Sequence, residues 1–132
     1  MSRKPRSLEV PGVTHGAAPI PMGARVGNLI CSSAIMGKDP ATDTLPDDPV
    51  QQIDFAFKNM VHLLEAGGAT LADVVRVTVY LKDDALREQL NAKWNEYFPD
   101  PHDRPARHVV PTDLRRGMVI QLEIMAVAGA NS

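Results

Sequence analysis

An α+β fold follows from three features of the chain. Two stretches carry apolar residues at helical spacing, two carry β-branched residues in strict alternation, and the segment order is strands, helix, strand, helix, strands. Two helices in that order can cover one face of a sheet. The length, 132 residues, suits one domain with a core of its own. No repeat, low-complexity tract or linker divides it, so residues 1–132 read as a single domain with an irregular N-terminal arm over 1–23.

The arm holds Pro5, Pro11, Pro19 and Pro21 with Gly12, Gly16 and Gly23, and has room for at most one short strand. The first well-defined strand is Asn28 to Ala34, followed by a polar loop with turn chemistry at Asp39-Pro40. Asp48 is placed to cap a helix, Pro49 fits its first position, and Gln51 can close a capping box. Val50, Ile53, Phe57, Met60, Val61 and Leu64 form its apolar face, and Gly67-Gly68 ends it.

Val74 to Leu81 alternates as a strand. Val75, Val77, Val79 and Leu81 are expected on one face, Val74, Arg76, Thr78 and Tyr80 on the other. Asp83 or Asp84 caps a second helix with Leu86, Leu90, Trp94 and Tyr97 as its buried stripe, and Pro99 and Pro101 stop it. A strand follows around Ala106 to Val110. After a turn at Leu114 to Gly117 comes the last strand, Val119 to Val127, with Ile120, Leu122, Ile124 and Ala126 on one face. The face away from the helices is half apolar, which suits a subunit interface and predicts a homo-oligomer.

Composition narrows the function. The net charge of −2 gives no general attraction to a phosphate backbone, so nucleic acid is an unfavoured partner. The basic Met1-Ser2-Arg3-Lys4 is not followed by an apolar run of signal-peptide length, and no segment reaches membrane-spanning length. A soluble, cytoplasmic protein is expected. Cys31 alone cannot form an internal disulfide and reads as a small core residue. His15, His62, His102 and His108 show no metal-ligand spacing.

Seven strings together resemble the RidA/YjgF family: Gly27-Asn28-Leu29-Ile30-Cys31-Ser32-Ser33, Asp39-Pro40-Ala41-Thr42, Leu64-Glu65-Ala66-Gly67-Gly68, Asp73 through Asp83, Asn95-Glu96-Tyr97-Phe98, Pro105-Ala106-Arg107 and Glu123 to Ala126. They run in order through roughly the last four-fifths of the chain. The resemblance implies a chorismate-mutase-like α+β subunit, a mixed sheet of about six strands with two helices on one face. It also implies a homotrimer with a cleft at each subunit interface. The reaction it implies turns enamines or imines such as 2-aminoacrylate into 2-oxo acids and ammonia, without metal or organic cofactor.

Carried over residue by residue, the resemblance makes Arg107 the anchor for the substrate carboxylate. It places backbone groups near Ser33 and Ala34 against the ligand, Ala34 standing where a glycine is usual. The family's water-positioning glutamate falls at Gln121, given a one-residue gap in the Leu114 to Gly117 turn, with Glu123 two residues later on the same face. The arm tyrosine falls at Ile20, and the cysteine two residues after the arginine is Val109. The residue chemistry is consistent with this. A guanidinium matches a carboxylate bidentately, and a carboxylate can orient water and take its proton where a carboxamide can only orient it. The plainer alternatives are a structural ion pair for Arg107, an interface ion pair for Glu123 and a backbone-bonded hydroxyl for Ser33. Three functions therefore stand open. They are an imine deaminase, a small-carboxylate-binding module with little catalysis, and the endoribonuclease or translation inhibitor that the family is also called. The residues supply no acid–base pair for the last.

Overall fold

The computed structural model describes residues 5–129; Met1 to Lys4, the basic start of the expected arm, lie outside them. Seven strands and two helices follow one another as β1 (Ser7–Leu8), β2 (Gly23–Val26), β3 (Leu29–Ser32), β4 (Ile35–Met36), α1 (Pro49–Ala66), β5 (Val74–Leu81), α2 (Arg87–Tyr97), β6 (Ala106–Pro111) and β7 (Ile120–Val127). The sheet runs β1-β2-β3-β7-β5-β6, with β4 continuing β3's place beside β7. Only β5 and β6 are parallel, so the sheet is mixed. The α+β expectation holds, with one strand more than the resemblance implies.

Against the segment-by-segment reading two strands are new: β4, split from the strand expected over Asn28 to Ala34, and β2. The signal for β2 was present. Gly27-Asn28 forms a two-residue loop between paired Val26 and Leu29, with Gly27 at φ 59°, the first-position conformation of a II′ hairpin.

The core lies between the sheet and the two helices. Ile30, Val77, Val79, Leu81, Ile120, Leu122 and Ala126 reach it from the sheet, and Ile53, Phe57, Met60, Leu64, Leu90 and Trp94 from the helices. Asp48 caps α1 by accepting from the Val50 N–H at 3.0 Å. The apolar face of α1 is centred slightly off the expected one. Val50 is exposed, and Gln52 is buried with Ala56, Asn59 and Leu63. Gln51 stays on the surface and takes no part in the cap. Asp83 accepts from the Ala85 N–H and starts a 3-10 turn, Asp84–Leu86, that leads into α2.

Three expectations need correction. A bulge between Val74 and Arg76 against β7 puts Val74 in the core and leaves Val75 exposed, because one inserted residue reverses the alternation before it. The strand expected over Asn28 to Ala34 is broken after Ser32. β3 pairs with β7 as far as Cys31↔Met125 and β4 resumes at Ile35↔Leu122, four residues against three. Cys31 is exposed, not in the core. It alternates with buried Ile30 and so falls on the face away from the helices.

Candidate functional site

Register decides where each candidate side chain goes. Arg107 is paired with Val77, and Val109 with Val79, so both leave β6 on the helix-covered side. Arg107 is half-buried there, its guanidinium carbon 5.0 Å from the centre of the Trp94 ring on α2. Its Nη1 is buried and lacks a hydrogen-bond partner. Among the described residues no carboxylate forms a salt bridge with it. Burial first, and the neighbouring Arg87 second, pull its guanidinium below the ordinary range. The ion-pair alternative for Arg107 therefore finds no partner among the described residues. A half-buried guanidinium with an unpaired donor has the chemistry to bind a carboxylate.

Gln121 and Glu123 alternate with buried Ile120, Leu122 and Ile124, so they leave β7 on the opposite, open face. Gln121 lies between Met36 of β4 and Tyr80 of β5. Its Nε2 donates to the Met118 sulfur at 3.3 Å. Glu123 is exposed beside Thr78 and makes no salt bridge among the described residues. His108, also paired with Thr78, is on this open face too.

Ser33 sits in the break between β3 and β4. Its Oγ donates to the Pro21 carbonyl at 2.7 Å and its N–H to the Met22 carbonyl at 2.9 Å, so the hydroxyl ties the arm to the sheet. Ser32 Oγ accepts from the Ile124 N–H at 2.8 Å and satisfies a donor that the broken ladder leaves over. Ala34 follows, half-buried, and Ile20 stands one residue from Pro21 with half its surface exposed.

The candidates thus form two groups. Ile20, Ser33, Ala34 and Gln121 gather around β4 and the neighbouring part of β7. Arg107 and Val109 lie on the edge strand β6. Arg107 is level with Val77 and hence with Ile124, so Gln121 lies two strands across and three residues along, about 10 Å in each direction and on the other face. One small molecule cannot touch both within a single chain.

Sequence reasoning missed Trp94 as the support of Arg107. Its helical spacing marked it as core, which it also is, and nothing in spacing says which strand lies across from it. It also missed Met118 and Gln52, which appear only once the turn before β7 is folded. No group of three or more His, Cys, Asp or Glu side chains able to hold a metal occurs among the described residues. No helix there is long and apolar enough to cross a membrane. A groove of about 730 Å³ between the arm, the β2–β3 hairpin and the end of α1 is lined by Arg6, Leu8, Arg25 and Gly67. It contains none of the candidate residues.

Comparison with known proteins bears on the family and the fold. The family model described as endoribonuclease L-PSP matches residues 17–129. A RutC family protein of Aquifex aeolicus is 31% identical over 123 residues, 92% of this chain and 98% of its own. A 2-iminobutanoate/2-iminopropanoate deaminase of Escherichia coli is 30% identical over 111 residues, 83% of this chain and 87% of its own. Among solved structures, the YjgF gene product of Escherichia coli superposes with a TM-score of 0.83 at 27% identity, covering 92% of this chain and 98% of that one. RidA from an Antarctic Psychrobacter does so with 0.84, at the same identity and coverage. On its sequence and its fold together, the chain belongs to the RidA/YjgF family.

Proposed function

We propose that this protein hydrolyses small carboxylate-bearing imines and enamines of the 2-aminoacrylate type to 2-oxo acids and ammonia. The observation that carries the proposal is the half-buried Arg107, laid over Trp94, with a free donor and no anionic partner among the described residues. The deaminase name of a relative 30% identical supports the same reaction class.

The separation of the candidate residues supports a site built between two copies of the chain. One copy supplies Arg107 and Val109 from its edge strand. The neighbouring copy supplies Ile20, Ser33, Ala34 and Gln121. The exposed apolar residues Val26, Leu29, Val75 and Met125 give the copies a reason to associate, and a homotrimer is the assembly we infer. Arg107 holds the carboxylate and fixes the C=N carbon. Backbone groups in the Ser33–Ala34 break hold the other end of the ligand. An enamine first tautomerises to the imine, losing a proton from nitrogen and gaining one on its methylene carbon. Water oriented by Gln121 then adds to the C=N carbon, the C–N bond of the resulting carbinolamine breaks, and the water's protons pass to nitrogen, which leaves as ammonia. A carboxamide orients but does not take a proton, so turnover is slower than with a carboxylate, by part of the 10²–10⁴-fold that a positioned base contributes. Glu123, two residues on along the same face, is the alternative acceptor.

The test is ammonia and 2-oxo acid release from 2-aminoacrylate generated in the assay. Wild type should accelerate release and Arg107→Ala should not, with the oligomer intact. Equal activity in the variant would sink this site. A well-folded wild type that binds small 2-oxo acids without turnover would favour the binding-module reading, for which the carboxamide at Gln121 is the motive. The open face presents Thr78, His108 and Glu123 in one row, but Arg107 is on the other side of the sheet, so an RNA-cleaving acid–base pair beside the cation finds no support.

A further inference from the structure

The proposed reaction leaves one matter of orientation open. Gln121 has two ends, an acceptor oxygen and a donor NH₂, and only the oxygen can receive a hydrogen bond from an attacking water. If the amide turned over, the group facing water would donate to the water's lone pair and blunt the nucleophile. A glutamate has no such problem, because its two oxygens are equivalent.

The turn before β7 resolves this. The Gln121 Nε2 stands 3.3 Å from the Met118 sulfur. A thioether accepts a hydrogen bond weakly and cannot donate one. The NH₂ is therefore attracted to it, while the oxygen in the same place would set lone pair against lone pair. Met118 is itself held in place. Gln52, 2% exposed in α1, donates through Nε2 to the Gly117 carbonyl at 2.9 Å and accepts through Oε1 from the Val119 N–H at 2.9 Å. These two bonds clamp the backbone on either side of Met118. A third, from the same Nε2 to the Pro46 carbonyl at 2.9 Å, anchors the clamp. The Gln121 Oε1 makes no hydrogen bond within the described residues and is not among the buried unpaired atoms, so it remains available.

We propose that Met118 is a positioning residue: its sulfur pins the NH₂ of Gln121 and turns the Oε1 toward the attacking water, which lets a glutamine serve where the family has a glutamate. This rests on the deaminase reading above, and the experiment separates the two. Met118→Leu, close to isosteric, is compared in two backgrounds, wild type and Gln121→Glu. In the wild-type background kcat should fall by up to about twofold, because a roughly three- to tenfold orientation bias of the kind one modest hydrogen bond sustains relaxes to even occupancy, with KM unchanged because Arg107 holds the carboxylate. In the Gln121→Glu background the same substitution should leave kcat where it was. Equal losses in both backgrounds would mean a merely structural Met118 and would overturn the inference, as would no loss in either. An inactive wild type would remove the deaminase reading itself, a distinguishable outcome. A second measurement needs no variant. In the unmodified protein, the Gln121 side-chain proton on the sulfur should exchange with water more slowly than its twin in a ¹H–¹⁵N spectrum. Equal exchange would overturn the contact.

Discussion

The Arg107 guanidinium lies over the Trp94 ring, 5.0 Å from carbon to ring centre. The two residues come from an edge strand and from the helix that packs under it. Trp94 is buried, and its ring also contacts Phe98 with centroids 4.7 Å apart. The tryptophan therefore does two jobs, filling the core and giving the cation a flat support that requires no counter-charge. Trp94→Ala should lose about 3–5 kcal/mol in urea unfolding, the cost of deleting a buried aromatic. Trp94→Phe should recover much of that while raising KM for the imine about two- to fivefold, as expected of a weakened cation–π support worth about 0.5–1 kcal/mol. An unchanged KM in the phenylalanine variant would count against the ring as part of the site.

A site shared between copies makes a sharper claim. Arg107→Ala and Gln121→Leu should each be inactive alone. Mixed after dissociation and reassembled, the two chains regenerate sites that take the arginine from one copy and the glutamine from its neighbour. For random mixing in equal amounts, about a quarter of the sites are whole in a cyclic oligomer. Recovery near that fraction in the ammonia assay supports the shared site. No recovery from properly mixed oligomers would place both residues' work within one chain, against the register of β5, β6 and β7.

Much of this was legible in the sequence because period and face are tightly linked. The alternation of Val119 to Val127 already separated Ile120 and Leu122 from Gln121 and Glu123, and the structure keeps that division. Arg107 and His108, adjacent on β6, fall on opposite faces by the same rule. The errors arose where a single residue shifts a pattern. One bulge reversed Val74 and Val75, and one break after Ser32 turned a predicted strand into two. Cys31 was misread for a different reason. Its neighbours are apolar on both faces of β3, so composition could not show which face meets the helices. The site was legible residue by residue, yet its division into two groups was not, since that depends on β6 lying beside β5 rather than beside β7.

Gln52 shows how a polar residue inside the apolar face of α1 can hold a distant turn. Its side chain satisfies the Pro46 and Gly117 carbonyls and the Val119 N–H. Gln52→Leu removes the partner of all three, and should cost about 1–3 kcal/mol, because the groups are only part-buried and Gly117 is exposed to water. Gln52→Glu keeps the acceptor for Val119 but turns an anion toward two carbonyls, so it should be no better. Gly37→Ala is predicted to be worse than either. Its new Cβ would collide with the Gln52 backbone oxygen, and α1 would have to move away from β4. Unfolding midpoints in urea check all three, and a neutral Gly37→Ala would show that β4 tolerates displacement from α1.

The arm that carries Ile20 has its own pH dependence. Thr14 donates its N–H and Oγ to the Asp43 carboxylate at 3.0 and 2.7 Å, and Lys38 Nζ bridges the Thr14 carbonyl and Asp43. Next to this latch, the His15 Nε2 is buried without a hydrogen-bond partner. Burial first and the Lys38 charge second hold the His15 pKa below its ordinary 6.5, with Glu9 opposing. The unfolded chain therefore takes up a proton that the folded arm resists. The stability contributed is whole above the unfolded value and declines as pH falls from about 6.5 toward the lower folded value, at no more than about 1.4 kcal/mol per pH unit for one proton. Asp43, lowered chiefly by its bond from the Thr14 hydroxyl, releases its share only in the more acid carboxylate range. Urea midpoints at pH 7.5 and 5.5 should therefore differ in wild type and converge in His15→Gln, which cannot charge. An equal drop in the variant would assign the loss to other groups and leave His15 without a role in the latch.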